Sequence, residues 1–269
     1  QIPLVYVDAV PVRTDPDGRV THVGMLLQQG ADGQISRMCV SGRVMLNERI
    51  STGIEWVDDA FGGEGLTPSM VTLFAGEPGA GKTTLSLTIA STMAAEGNLV
   101  VYNTAEESLH QLKRTYNRLN LRGPVRVGGE TNVQELIKAT DRLRQKNPGK
   151  RAIVFVDSLQ CLDDGHFSTG RITSETAVRS LEQLCEWAKE NYTNVVAINQ
   201  VTKGGNFAGS NKLRHMVDAM AFLGIEKKNE DLLGMRKFEV LKNRFGGCGS
   251  VAFLKSASTG LQLVATSEE

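Results

Sequence analysis

The residues with the clearest chemistry form one run of eight, Gly76-Glu77-Pro78-Gly79-Ala80-Gly81-Lys82-Thr83. Glycines at this spacing let backbone N–H groups converge on phosphate oxygens, and a helix opening at the end of the run adds its positive terminus. Lys82 supplies charge for the β- and γ-phosphates, the Thr83 hydroxyl is a ligand for Mg²⁺, and Thr84 follows on the opening helix. The run therefore predicts an ATP site with Mg²⁺, its contacts spread over Gly76, Glu77, Pro78, Gly79, Ala80, Gly81, Lys82, Thr83 and Thr84. Ile153-Val154-Phe155-Val156-Asp157 is an apolar strand ending in an acid. It brings Asp157 to the carboxyl edge of a sheet, where it would hold Mg²⁺ through water.

Hydrolysis also needs a group that orients and deprotonates water. Glu106-Glu107 follow the strand expected at residues 99–102, taken as the neighbour of the phosphate-loop strand. Glu106 lies nearer the strand end and is chosen as the base. Glu107, just before Ser108, is expected to point along a helix entrance, where the macrodipole favours it.

These groups need a scaffold to hold them. From Arg49 onward, apolar strands alternate with helical segments. Strands are expected at 70–75, 99–102, 152–156 and 195–198. Helices are expected at 83–95, ended by Gly97, at 108–120 behind a Ser108/Gln111 capping box, at 133–145 and at 175–191. That alternation implies an α/β fold, a parallel central sheet with helices on both faces. After Met220, strands at 220–225, 237–241, 251–255 and 261–264 are expected to extend the sheet antiparallel. Residues 1–47 read differently, as short strands at 4–7, 20–27 and 35–40 separated by Asp-Pro-Asp-Gly and Gly-Ala-Asp-Gly turns. The expected division is a small β-rich segment, 1–47, and an ATPase core, 48–269.

Composition narrows the function classes. The 269 residues carry 30 Lys+Arg and 30 Asp+Glu, so the formal net charge is zero and any nucleic-acid contact must be local. The four cysteines (Cys39, Cys161, Cys185, Cys248) form no CxxC pair, and His22 with Cys39 makes no metal site, so reduced thiols and no zinc are expected. No apolar run is long enough for a membrane span and the N-terminus lacks a signal-peptide layout, which predicts a cytoplasmic protein without a membrane partner.

Several motifs together resemble one group of RecA-like ATPases. Arg49-Ile50-Ser51-Thr52-Gly53-Ile54-Glu55 and Phe61-Gly62-Gly63 before the phosphate loop are similar to the opening of the RadA/Sms, DnaB and KaiC group. Thr104-Ala105-Glu106-Glu107-Ser108, Thr202-Lys203-Gly204, His215-Met216-Val217-Asp218 and Lys242-Asn243-Arg244-Phe245-Gly246 resemble RadA/Sms motifs, the last being the most specific. The resemblance covers about residues 48–265. The reading expects a stand-alone core, lacking that family's four-cysteine zinc module and its C-terminal protease-like domain. It implies a RecA-like fold, a hexameric ring, and an ATP-driven motor on single-stranded DNA in recombination and repair, of the helicase or translocase kind. It also implies that Glu106 is the catalytic glutamate, that Gln200 senses the γ-phosphate, and that Lys242 and Arg244 reach a neighbouring subunit's ATP.

Two loops expected after central strands suit a single strand. Residues 202–214 carry Lys203, Phe207, Lys212 and Arg214 among glycines, and residues 163–173 carry Arg171 and Phe167. Basic, flexible, aromatic-bearing segments match the backbone and stacking contacts of single-stranded DNA. The alternative from another class is a KaiC-like regulatory ring that binds protein partners and no DNA.

Overall fold

The computed structural model describes residues 49–63, 65–166, 172–200 and 210–267, and in the N-terminal segment residues 12–14, 20–23, 26–29 and 35–38. The chain divides into two compact units, Gln1–Asn47 and Glu48–Glu269. In the first unit, β1 (Val12–Thr14) pairs antiparallel with β2 (Val20–Val23), and β3 (Leu26–Gln29) with β4 (Ile35–Met38). The strand expected at 4–7 lies outside the described residues.

The second unit is built on one nine-stranded sheet. Its strands are β5 (Val71–Gly76), β6 (Leu99–Thr104), β7 (Arg126–Gly128), β8 (Ala152–Asp157), β9 (Asn194–Gln200), β10 (Ala219–Ile225), β11 (Arg236–Asn243), β12 (Ala252–Ala257) and β13 (Gly260–Thr266). They are ordered β13-β12-β11-β10-β5-β9-β8-β6-β7. Every residue of β5, β6 and β8 is buried, because helices cover both faces. The side chains alternate with period two. Phe74, Tyr102, Phe155 and Ile198 pack with Leu85, Ile89 and Met93 of α2 (Lys82–Ala95). Leu73, Val101, Val154 and Ala197 pack with Leu136 of α4 (Val133–Gln145) and Leu181, Leu184 and Trp187 of α5 (Ser174–Glu190).

Local signals place the helices well. Ser108 and Gln111 form the expected reciprocal cap on α3 (Leu109–Arg118). Asn132 accepts from the backbone N–H groups of Gln134 and Glu135 to open α4, and a Thr173/Thr176 box opens α5.

Three expectations about the frame are corrected. First, β6 is not the neighbour of β5: β9 and β8 lie between them. These two strands are buried on both faces, as β6 is, and helical crossovers long enough for parallel returns let later strands take the places between β5 and β6. Second, β10 pairs parallel with β5 (Ala219 opposite Thr72), and the antiparallel extension starts only at β11. The chain crosses from β9 through α6 (Ser210–Met216), and a crossover of that length permits a parallel return. Third, the segment 202–214 is not one loop, since α6 occupies its end. Leu213 and Val217 are buried against the α5 side of the core, with Met216 partly so, and that spacing favours a helix. The six-residue α1 (Glu55–Ala60) and the short β7 are additions to the expected elements. No helix among the described residues is long and apolar enough to cross a membrane, and no described group of three or more His, Cys, Asp or Glu is arranged to hold a metal.

The antiparallel extension is tied to the core through Phe238 of β11. Its ring meets Trp56 of α1 edge-on at 5.5 Å and Phe74 of β5 at 6.0 Å. Phe238→Ala should cost about 3–5 kcal/mol, read as a lowered denaturant midpoint. A loss below about 1 kcal/mol would mean that this aromatic cluster does not anchor the extension.

Candidate nucleotide site

The sheet topology gathers the chemistry at the carboxyl ends of β5, β9, β8 and β6. An open cleft there is lined by Pro78, Gly79, Gly81, Lys82, Thr83, Thr84, Glu106, Glu107, Asp157 and Gln200. Residues far apart in sequence thus meet at the edge where open α/β sheets bind ligands. Gly81, at φ 103°, serves as the N-cap of α2 in the left-handed region, a backbone shape that glycine adopts without strain. Gly76 is required for another reason: a Cβ there would lie 2.3 Å from the Leu223 carbonyl oxygen of β10.

The Lys82 side chain is buried and donates from Nζ to the carbonyl oxygens of Gly76 and Glu77, both at 3.0 Å. Desolvation lowers its pKa, opposed by the charges of Asp157 and Glu106. Asp157 is 5 % exposed, and one carboxylate oxygen accepts two hydroxyls, Thr83 Oγ1 and Tyr102 Oη, each at 2.8 Å. Burial pushes the Asp157 carboxyl up, against the pull of those two donors. Tyr102, fully buried on β6, also shares a 2.9 Å hydrogen bond with Ser86 of α2.

Glu106 is exposed, and its Oε1 accepts from Gln200 Nε2 at 2.8 Å. That bond crosses the gap left by the strand order: Glu106 follows β6, yet Gln200 ends β9, directly opposite Gly76. Glu107 lines a hollow along α3 with Gln111, Arg114 and Arg118, at the helix entrance as expected, yet it does not face only that way. It is half-buried, lines the cleft, and its carboxyl is raised by burial and by the charges of Asp157 and Glu106. Its backbone N–H is fixed by Thr104 Oγ1 at 3.1 Å.

The set fits a nucleotide with Mg²⁺. An incoming polyphosphate meets a helix N-terminus and an ammonium, with a hydroxyl–carboxylate pair alongside. Magnesium takes one or two protein ligands plus phosphate oxygens and waters, so the Thr83–Asp157 pair suffices without a cage of carboxylates.

Lys242 and Arg244 lie elsewhere. Lys242 is opposite Met220, which is opposite Leu73, and the Arg244 N–H donates to Asp218 O at 2.9 Å. The pair therefore sits level with the first half of β5, three to five residues, or roughly 10–16 Å, along the strand from its phosphate-loop end. Lys242 Nζ donates to the carbonyl oxygens of Arg214 at 2.9 Å and Val217 at 2.6 Å, capping α6. Arg244 pairs with buried Asp218 at 3.0 Å, and Asp218 also accepts from Val71 N–H of β5. Arg244 lies in the turn after β11, and β12 pairs with β11 only at Arg236–Phe238, so Lys242 has a strand partner on the β10 side alone among the described pairings.

Of the residues expected to meet DNA, Lys203, Phe207 and Arg171 lie outside the described residues. Lys212 and Arg214 are exposed on α6, with Lys212 Nζ 3.7 Å from Glu175. The start of the other expected loop is well anchored: Asp163 bridges to Asn132, and buried Asp164 is salt-bridged to Arg179. Burial pushes the Cys185 thiol up to about 12, as suits a packed, unreactive cysteine.

Three contributors carry no local sequence signal. Tyr102 holds Asp157 from inside the core. Lys227 pairs with both oxygens of Glu77 at 3.0 and 2.9 Å, and Arg236 Nε donates to Ala80 O at 3.1 Å. All three are joined to the site by strand pairing and not by a motif of their own.

A family model described as ATPase: KaiC matches residues 50–251, and one described as a domain of unknown function (DUF4916) matches residues 1–67. The DNA repair protein RadA of Aquifex aeolicus (strain VF5) is 32% identical over 219 residues, 81% of this chain and 47% of that protein. RadA of Brucella abortus (strain 2308) is 31% identical over 236 residues, 86% and 48% respectively. RadA of Mycobacterium tuberculosis (strain ATCC 25618 / H37Rv) is 32% identical over 248 residues, 87% and 48%. The chain spans about half the length of the curated relatives it matches. Among solved structures, an ATPase domain has the same fold, with a TM-score of 0.67 at 18% identity over 81% of this chain and 93% of that one. The KaiC model spans most of the sequence and every residue lining the cleft, so the chain belongs to the KaiC family of ATPases, on a RecA-like core similar to that of RadA.

Proposed function

We propose that this chain is an ATP-driven motor acting on single-stranded DNA in repair or recombination, working as a hexameric ring in the cytoplasm. The observation that carries this reading is the 2.8 Å bond from Gln200 to Glu106. It links the water-facing carboxylate to the residue from which segment 201–209, with Lys203 and Phe207, departs. A change at the γ-phosphate then has a direct route to the segment proposed to grip DNA. Similarity to proteins named for DNA repair supports the same assignment.

In this reading Gly76 through Thr84 hold the triphosphate, Lys82 offsets β- and γ-phosphate charge, and Thr83 with Asp157 holds Mg²⁺. A Mg²⁺ ion held there would supply Lewis-acid stabilisation of phosphate charge. Glu106 orients and deprotonates the attacking water, Gln200 senses the γ-phosphate, and Lys242 with Arg244 stabilises transition-state charge on a neighbour's ATP. Lys203, Phe207, Lys212, Arg214 and Arg171 contact the DNA strand. A regulatory ring that binds protein partners is the second reading, favoured by the KaiC match and the zero net charge.

Glu106→Gln should keep ATP binding and lower hydrolysis by about 100-fold or more, the scale of losing a general base. Glu107→Gln should be milder, and the opposite ranking in single-turnover assays would transfer the role to Glu107.

Single-stranded DNA should stimulate ATP turnover, with affinity that falls as salt rises through counterion release. Replacing Lys203, Lys212 and Arg214 together should flatten that salt slope and spare DNA-independent ATP binding. No stimulation and no binding by the wild type would favour the protein-binding ring.

Lys82→Ala subunits lack a working site but still offer Lys242 and Arg244, while Arg244→Ala subunits have the converse defect. Mixing the two inactive proteins should restore part of the ATPase activity. Mixtures that co-assemble yet stay inactive would exclude action across an interface.

A further inference from the structure

From the contacts behind the phosphate loop we infer that Arg236 is a positioning residue for ATP binding: its hydrogen bond to Ala80 turns the Ala80–Gly81 peptide so that the Gly81 N–H faces the phosphates. The inference rests on the nucleotide reading of the cleft and adds a residue to it. Neither Arg236 nor Ala80 lines the cleft, whereas Gly79, Gly81 and Lys82 do. Arg236 stands on β11, opposite Ile225 of β10, two residues beyond Leu223, the partner of Gly76. The β10–β11 hairpin therefore flanks the loop from the β10 side of β5, and none of its residues lines the cleft.

The geometry of the peptide does the rest. Ala80–Gly81 is an ordinary trans bond, so its C=O and N–H point in opposite directions. Arg236 Nε holds Ala80 O from behind at 3.1 Å, while its Nη1 is held by Gly234 O at 3.0 Å. With the carbonyl fixed to the rear, the Gly81 N–H is presented to the front. Gly81 at φ 103° has no side chain to resist the opposite flip. Without a partner for Ala80 O, the peptide would be free to rotate, and one phosphate donor would be present only part of the time. The cost of ordering it would then appear in ATP affinity.

The same hairpin holds the loop's other shoulder. Glu77 N–H donates to Leu223 O at 3.1 Å, and the Glu77 carboxylate pairs with Lys227. Lys227 is 64% exposed, and exposed ion pairs contribute little, so the half-buried Arg236 bond is the stronger constraint. Charge is not its function here: Lys82 already supplies a cation inside the cleft, which Arg236 does not line.

Three substitutions separate the possibilities. The Nε2 donor of glutamine is as many bonds from Cα as arginine Nε, so Arg236→Gln keeps the donor and removes the charge. Arg236→Lys keeps the charge and moves the donor, and Arg236→Ala removes both. Affinity for ATP and for inorganic pyrophosphate would be measured by calorimetry, together with KM and kcat. Arg236→Ala should weaken both ligands and raise KM about tenfold, the scale of one hydrogen bond, with kcat within about threefold of wild type. Arg236→Gln should restore affinity to within about threefold of wild type, and Arg236→Lys should not. If lysine rescues and glutamine does not, the residue acts by charge and the inference falls. Wild-type affinity in all three variants overturns it as well. Should the alanine variant be too unstable to assay, the glutamine–lysine pair decides alone. A wild-type protein that binds neither ATP nor pyrophosphate would instead overturn the nucleotide reading itself.

Discussion

A carboxylate that is 5 % exposed cannot be left without partners, and the partners of Asp157 determine how the site is assembled. One comes from Thr83 at the start of α2, and the other from Tyr102 within β6. Three elements that are distant in sequence are thereby drawn to one oxygen atom. The phosphate loop cannot drift from β8 without stranding a buried acid, and Tyr102 cannot leave the core without doing the same. Two donated hydroxyls work against the desolvation that raises the Asp157 pKa. The group is thus held near the cleft with its charged form partly compensated, which is the condition a cation-binding acid needs.

How much of this arrangement is legible in the sequence depends on whether its cause is local. The capping box at Ser108 and Gln111, the helix at 133–145 and the acid at the end of β8 all carry their signal within a few residues, and each is legible. The order of the strands is not. Nothing in the residues of β6 says that two later strands will insert between it and β5. All of these strands are buried on both faces, so their order is set by how the helical crossovers return and not by any one strand's residues. α6 is hidden because its apolar positions, Leu213 and Met216, follow a glycine-rich run that reads as loop. Tyr102 shows the limit most clearly: on sequence it is one more apolar-facing strand residue, and its hydroxyl matters only once Asp157 is beside it.

The family resemblance directs the cations at 242 and 244 to a neighbouring subunit's ATP. Within the chain their contacts fall on the segment 214–218, where Lys242 caps α6 and Arg244 neutralises Asp218. These contacts join the end of α6 to the beginning of β5, so the extension, the crossover helix and the phosphate-loop strand form one connected frame.

Phosphate-loop glycines are commonly taken as evidence of ligand contact, so a Gly76 variant that loses binding would be scored as a recognition defect. Here a methyl group at that position meets the Leu223 carbonyl of the adjacent strand at 2.3 Å. The first casualty would be the seam between β5 and β10, and the ligand would be lost only because the loop had moved with it. Gly79 is the contrasting case: its Cβ would meet nothing within 4 Å, and only its φ of 73° opposes a side chain. Scanning this loop therefore samples two different physical failures, and thermal stability measured beside affinity tells which one a given position reports.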